Sequence, residues 1–251
     1  MKRVLALLLV GLALAAQGAQ PAESAKRVGA DVEAVVAPAP DRDATARHRC
    51  PGATGVVVGP ASADHAALVC EGVARALHFL ARAGLVAPSE TRIEIVRQLP
   101  GALAGRAVGC YLRDTRNILL LDYEAFEAIG EWFRTPVDRE LYRSAAAHEM
   151  AHAMVGCNTS SDRLPTAAHE YVAYVVLFAT MDPELRERVL AKFPGRGFTS
   201  TLQISEVGHL ADPNQFGVDA WRHYLGRRDR EAWLRAMIAG GVVQELPDDA
   251  P

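Results

Sequence analysis

The stretch "SAAAHEMAHAMVGC", Ser144 to Cys157, decides how the rest of the chain is read. Ala, Met and Val occupy nearly every face of the helix it predicts, yet two histidines and a glutamate sit among them. An ionised carboxylate on such a surface costs several kcal/mol unless something compensates it, so these residues meet either solvent or a cation. His148 and His152 are four apart, which stacks them on one helical face with both imidazoles able to converge on a single ion. Glu149 is rotated by about 100° from His148. It is poorly placed as a ligand but well placed to reach a water bound to that ion. This is the H-E-x-x-H arrangement, in which neutral imidazoles hold zinc and the glutamate serves as general base.

A catalytic zinc needs a third protein ligand and one open position. The next helical segment, "LPTAAHEYVAYVVLFATM", supplies His169 and Glu170, and from Ala167 to Met181 it holds nothing else that is charged. A helix apolar all round is buried, so a lone glutamate there is destabilising unless it coordinates a dication. Two histidines with a carboxylate form a common catalytic zinc set, which favours Glu170; His169 is the alternative.

His148, Glu149, His152 and then Glu170 on a following helix resemble the gluzincin group of zinc metallopeptidases, within the zincin-like fold. "HEYVAY", residues 169–174, is similar to that group's third-ligand helix. The pair of motifs also resembles an exported bacterial family of unknown function. The likeness covers about Ala107 to Met181. Gluzincins commonly carry a small residue after the third ligand where this chain has Tyr171, and Val155 and Asn158 replace the glycine and third histidine of a metzincin. The resemblance implies that the edge strand before the metal helix, Val108 to Leu112, pairs with substrate backbone. A donor to the oxyanion is also expected; His209, His223, Tyr171, Tyr174 and Tyr224 all qualify by chemistry, with His209 in "SEVGHLADP" slightly ahead because it sits in a polar segment.

Outward from this pair of helices, "TGVVVG" and "TRIEIVRQL" read as strands, with "ASADHAALVCEGVARALHFLARAGL" as a helix between them. "AVGCYLRDTRNILLLDY" reads as a hairpin turning at "RDTRN". "EAFEAIGEWF" reads as a short helix, and the metal helix is expected to end at Gly156. After Asp182-Pro183, further helices follow to the C-terminus. Strands first and helices after predict an α+β domain over residues 49–251: a small mixed sheet packed on the H-E-x-x-H helix, then a mainly helical part.

The chain has 251 residues, 50% hydrophobic and 23% charged, with a formal net charge of -3. Such a balance suits a globular domain with a sizeable core and leaves no basic footprint for nucleic acid. "MKRVLALLLVGLALAAQGAQPAE" reads as a secretory signal peptide over residues 1–19, with an aperiodic Ala, Pro, Asp and Arg tether over 20–48. Export to the periplasm or the medium follows, with no membrane anchor after cleavage. The four cysteines then predict two disulfides, Cys50 with Cys70 and Cys110 with Cys157, the second on the expectation that the hairpin packs beside the metal helix.

The function expected from these residues is that of an exported zinc-dependent hydrolase acting on peptides or proteins. Zn2+ is held by His148, His152 and Glu170, with Glu149 as general base. The alternative is a non-catalytic zincin-like binding or interaction protein.

Overall fold

A computed structural model describes residues 46–105, 107–159 and 164–240. The expected signal peptide and the first 26 residues of the expected tether (20–45) lie outside these. The tether's final residue does not: His48 opens β1 (His48–Arg49), which pairs antiparallel with β2 (Val56–Val58).

The fold is α+β, a small mixed sheet followed by a predominantly helical part. The five-stranded sheet has the order β1-β2-β3-β5-β4, with β3 at Thr91–Val96, β4 at Gly109–Leu112 and β5 at Asn117–Leu121. β2, β3 and β5 run parallel; β1 and β4 are antiparallel strands at the two edges. β3 shows why one face is covered: Thr91, Ile93 and Ile95 are buried, while Arg92 is exposed and Glu94 is paired with Arg47. That period of two is the pleat.

Helix α1 (Ala63–Arg82) returns across the sheet from β2 to β3, capped by Ser62, whose side chain accepts from the His65 amide. It lies against α3 (Arg139–Asn158). Gly72 makes that approach possible, since a Cβ there would stand 2.2 Å from the Arg143 carbonyl oxygen. Helix α3 is central. α1, α4 (Thr166–Thr180) and strands β4 and β5 all pack on it, which is why thirteen of its residues are buried and no side is polar. α4 is covered in turn by α7 (Pro213–Leu225) and touched by α6 (Glu206–Ala211) and α8 (Arg230–Ile238). Between them lies α5 (Pro183–Leu190), which starts at the expected Asp182-Pro183 with Asp182 as its cap.

Three sequence expectations are corrected. "EAFEAIGEWF" is not one helix: α2 covers only Tyr123–Glu127, and β6 (Glu131–Trp132) then pairs with β7 (Thr135–Pro136). The two residues between those strands, Phe133 and Arg134, have φ of 51° and 53°, as a tight hairpin turn demands. Phe133 is fully buried against Phe178 and Phe193, and that packing compensates a left-handed backbone at an aromatic residue. Second, α3 does not stop at Gly156 but runs to Asn158. Gly156 serves proximity instead, since a Cβ would come within 2.9 Å of the Tyr111 ring.

The third correction concerns the cysteines. Cys50 and Cys70 form the expected disulfide, whereas Cys110 and Cys157 are free thiols. The hairpin does pack on α3, but register settles which side chains meet. Gly109 and Tyr111 pair with the buried Leu120 and Ile118 and face α3, so Cys110, opposite Leu119, points to the other face of the sheet. The Cys157 thiol instead lies near the carbonyls of Val86 and Met154.

Candidate metal centre

His148 and His152 stand one turn apart on α3, with their Nε2 atoms 3.2 Å apart. Glu170, on α4, reaches across to both: Oε2 lies 3.5 Å from His148 Nε2, and Oε1 lies 3.6 Å from His152 Nε2. A tetrahedral ion bonded at about 2.0–2.1 Å requires its ligand atoms about 3.4 Å from one another. Each imidazole nitrogen stands about that far from its own Glu170 oxygen, and one ligand atom from each of the three residues lies within 4.8 Å of the other two. Among the described residues, this is the one group of three His, Cys, Asp or Glu side chains so disposed.

The electrostatics point the same way. Burial favours the neutral Glu170, but His152, His148 and His209 outweigh it and hold the carboxyl down at about 2. Burial lowers His152 to about 3 despite the pull of Glu170, leaving a neutral imidazole. Burial also disfavours a charged His148, yet its hydrogen bond to Glu170 and the carboxylate charges turn its shift upward. Two imidazoles converging on a carboxylate held ionised form a donor set of the chemistry zinc takes, so the residues present fit that ion.

Glu149 is almost wholly buried and is not one of the three converging groups. Burial raises its carboxyl to about 7, and Oε2 has no hydrogen-bond partner. Strand β4 presses on it: a Cβ at Gly109 would lie 2.6–2.7 Å from Glu149 Cγ, Cδ and Oε1. Glu149 thus presents a carboxyl raised towards neutrality beside the candidate cation site.

His169 does not join the ions' meeting point. Its Nε2 takes a hydrogen bond from the Arg113 guanidinium, and its ring centroid is 6.2 Å from that of His152. Of the five possible oxyanion donors, two are at the site. His209 Nε2, on α6, lies 3.5 Å from Glu170 Oε2, and the Tyr174 ring stands against His148 at 4.7 Å. Tyr171 and His223 are elsewhere, 2.7 Å apart, with Trp233 donating to the tyrosine oxygen. Tyr224 stacks on Trp221. His209 is separated from Glu170 by 39 positions, and no local pattern distinguishes it; only the packing of α6 on α4 does.

A family profile matches residues 56–247, which hold every side chain of this candidate site. The chain belongs to a family of unknown function, DUF6639. The matched span covers the whole candidate metal site, whereas Cys50 and β1 precede it. No curated protein and no solved structure matches the chain.

Proposed function

We propose that this DUF6639 protein is a zinc-dependent hydrolase of the gluzincin type, acting on peptide bonds. The observation that carries the reading is the convergence of His148, His152 and Glu170, with Glu149 held outside that set and raised to about 7. An antiparallel edge strand lying on the metal helix, followed by a ligand-bearing helix, supports a zincin-like fold.

Bound at these three side chains, zinc would lower the pKa of a water and polarise a substrate carbonyl. The chain's own residues supply the rest. Glu149 accepts the proton of the attacking water and returns it to the leaving amine, a shuttle for which a pKa near ambient pH is suited. His209 offers an imidazole N–H beside Glu170 for the developing oxyanion. Tyr174, packed on His148 and against Gly217, fixes the imidazole plane. The free edge of β4 can pair with substrate backbone, giving affinity with little side-chain selection. The Cys50–Cys70 disulfide supports the companion proposal of export to an oxidising compartment. Among the described residues, no helix is long and apolar enough to cross a membrane.

The test is Glu149→Gln beside His152→Ala, each purified without chelators. Wild type and Glu149→Gln are expected to carry one zinc per chain, with peptide hydrolysis falling roughly 100-fold or more in the glutamine variant. His152→Ala is expected to lose most of the metal. Zinc-free wild type, or full turnover by Glu149→Gln, would overturn the proposal and favour a non-catalytic binding protein.

A further inference from the structure

We infer that Arg113 anchors a carboxylate of the bound peptide, so that the site selects acidic substrates. The inference rests on the proposed peptidase reading for the identity of the ligand as a peptide, and on the structure for the cation.

Arg113 follows β4 directly, at the turn of the β4–β5 hairpin, and its Nη2 donates to Nε2 of His169. A guanidinium has donors only, so the imidazole presents its lone pair there. His169 is itself buried and is the immediate neighbour of Glu170, so one hydrogen bond ties the guanidinium to the ligand helix. The remaining donors of this exposed side chain have no partner among the described residues.

Other arginines near these helices are paired with carboxylates. Arg75 and Arg143 are neutralised by Glu71 and Glu140. Arg116, at the same hairpin turn with φ of 57°, also lacks an ion-pair partner among the described residues, and Asp114 between the two pairs with neither. Both arginines bear electrostatically on Tyr111, whose ring lies over Gly156, one turn beyond His152 on α3. Arg113 is thus an unneutralised guanidinium held at one end of the candidate metal centre by its bond to His169. A pre-ordered planar fork of donors is the arrangement that recognises a carboxylate in bidentate fashion. Either a peptide's C-terminal carboxylate or an Asp or Glu side chain supplies that chemistry.

The experiment measures equilibrium binding to the full, zinc-loaded chain, using acetylated alanine peptides. One arm compares the free acid with the C-terminal amide. The other compares amidated peptides carrying a single Glu or Gln at successive positions. In at least one arm wild type is expected to bind the acidic member about tenfold more tightly or better, the effect of one good charge-assisted pair. Arg113→Gln should bring that ratio to within about twofold, and Arg113→Lys should restore part of it. Equal binding of acidic and neutral peptides by wild type would overturn the inference, as would a preference that survives in Arg113→Gln, because the carboxylate would then sit elsewhere. A charge preference without hydrolysis would defeat the peptidase reading alone. Hydrolysis without a charge preference would defeat this inference alone.

Discussion

Glu149 shows how a single side chain couples stability to chemistry. In the metal-free protein its carboxyl titrates near 7 because burial disfavours the anion, His148 pulls the other way, and Glu170 adds to the rise. Its unfolded value is about 4.5. The folded value is the higher, so the stability this group supplies is fully present below about 4.5 and is lost as pH rises through about 7. The full loss is on the order of 3 kcal/mol. His152 runs opposite: its folded value of about 3 lies below 6.5, so its contribution is present above 6.5 and lost as pH falls towards 3. Denaturant titration of metal-free wild type beside Glu149→Gln isolates the first effect. The variant is expected to gain on wild type steadily from pH 4.5 to above 7, and a constant difference would show that Glu149 is not raised. Both this residue and the histidine pair were readable in sequence, because a charge inside an apolar helix is a local anomaly that needs no knowledge of the fold. His209 gains only a slight preference from its polar segment, since its stronger claim rests on standing 3.5 Å from Glu170 across two helices.

At the scale of elements, strand register and glycine placement govern what surrounds the metal helix. The sequence predicted a hairpin beside α3 correctly, and it named the strand now found at the edge. It could not tell which face each residue takes, because shifting the pairing by one residue exchanges the faces. Hence the expected Cys110–Cys157 bridge failed while the packing on which it was argued is real. The β6–β7 turn escaped notice for another reason: "WFRT" contains no Asn or Gly to announce positive φ, and the turn is held by the burial of Phe133. Gly109 is where register meets chemistry. A methyl there would collide with the Glu149 carboxyl, which is buried and has little room to retreat, whereas His148 and His152 point to Glu170. Gly109→Ala is therefore expected to keep its zinc and lose roughly 100-fold in peptide hydrolysis, the scale of a misplacement of about 1 Å in a catalytic group. Metal analysis and kinetics on one preparation check it. Unchanged turnover would show that β4 does not position the base.

Across the whole molecule, the disulfide and the candidate metal centre lie on different elements, joined through the packing of α1 on α3. The metal centre draws on α3, α4 and α6, while Cys50–Cys70 joins the segment between β1 and β2 to α1 on the far side of the sheet order from β4. The family match also begins after Cys50, at residue 56. The bridge closes a loop with a sequence separation of 20, for which the chain-entropy relation yields about 3 kcal/mol of stabilisation. Its effect should be on the unfolded chain, leaving the native positions of His148, His152 and Glu170 as they are. Replacing both cysteines by serine is expected to lower the unfolding free energy by about that amount, read from denaturant midpoints at constant slope. Zinc content and zinc affinity of the folded protein should remain at wild-type values. The two remaining thiols, Cys110 and Cys157, should react with a thiol reagent in the unfolded wild type and in the double variant alike, giving two modified groups per chain in each. A double variant that folds normally but binds zinc more weakly would show that the disulfide orders the candidate metal centre through the packing of α1 on α3. A fall in stability well below 1 kcal/mol would show that the unfolded chain is already compact around that loop.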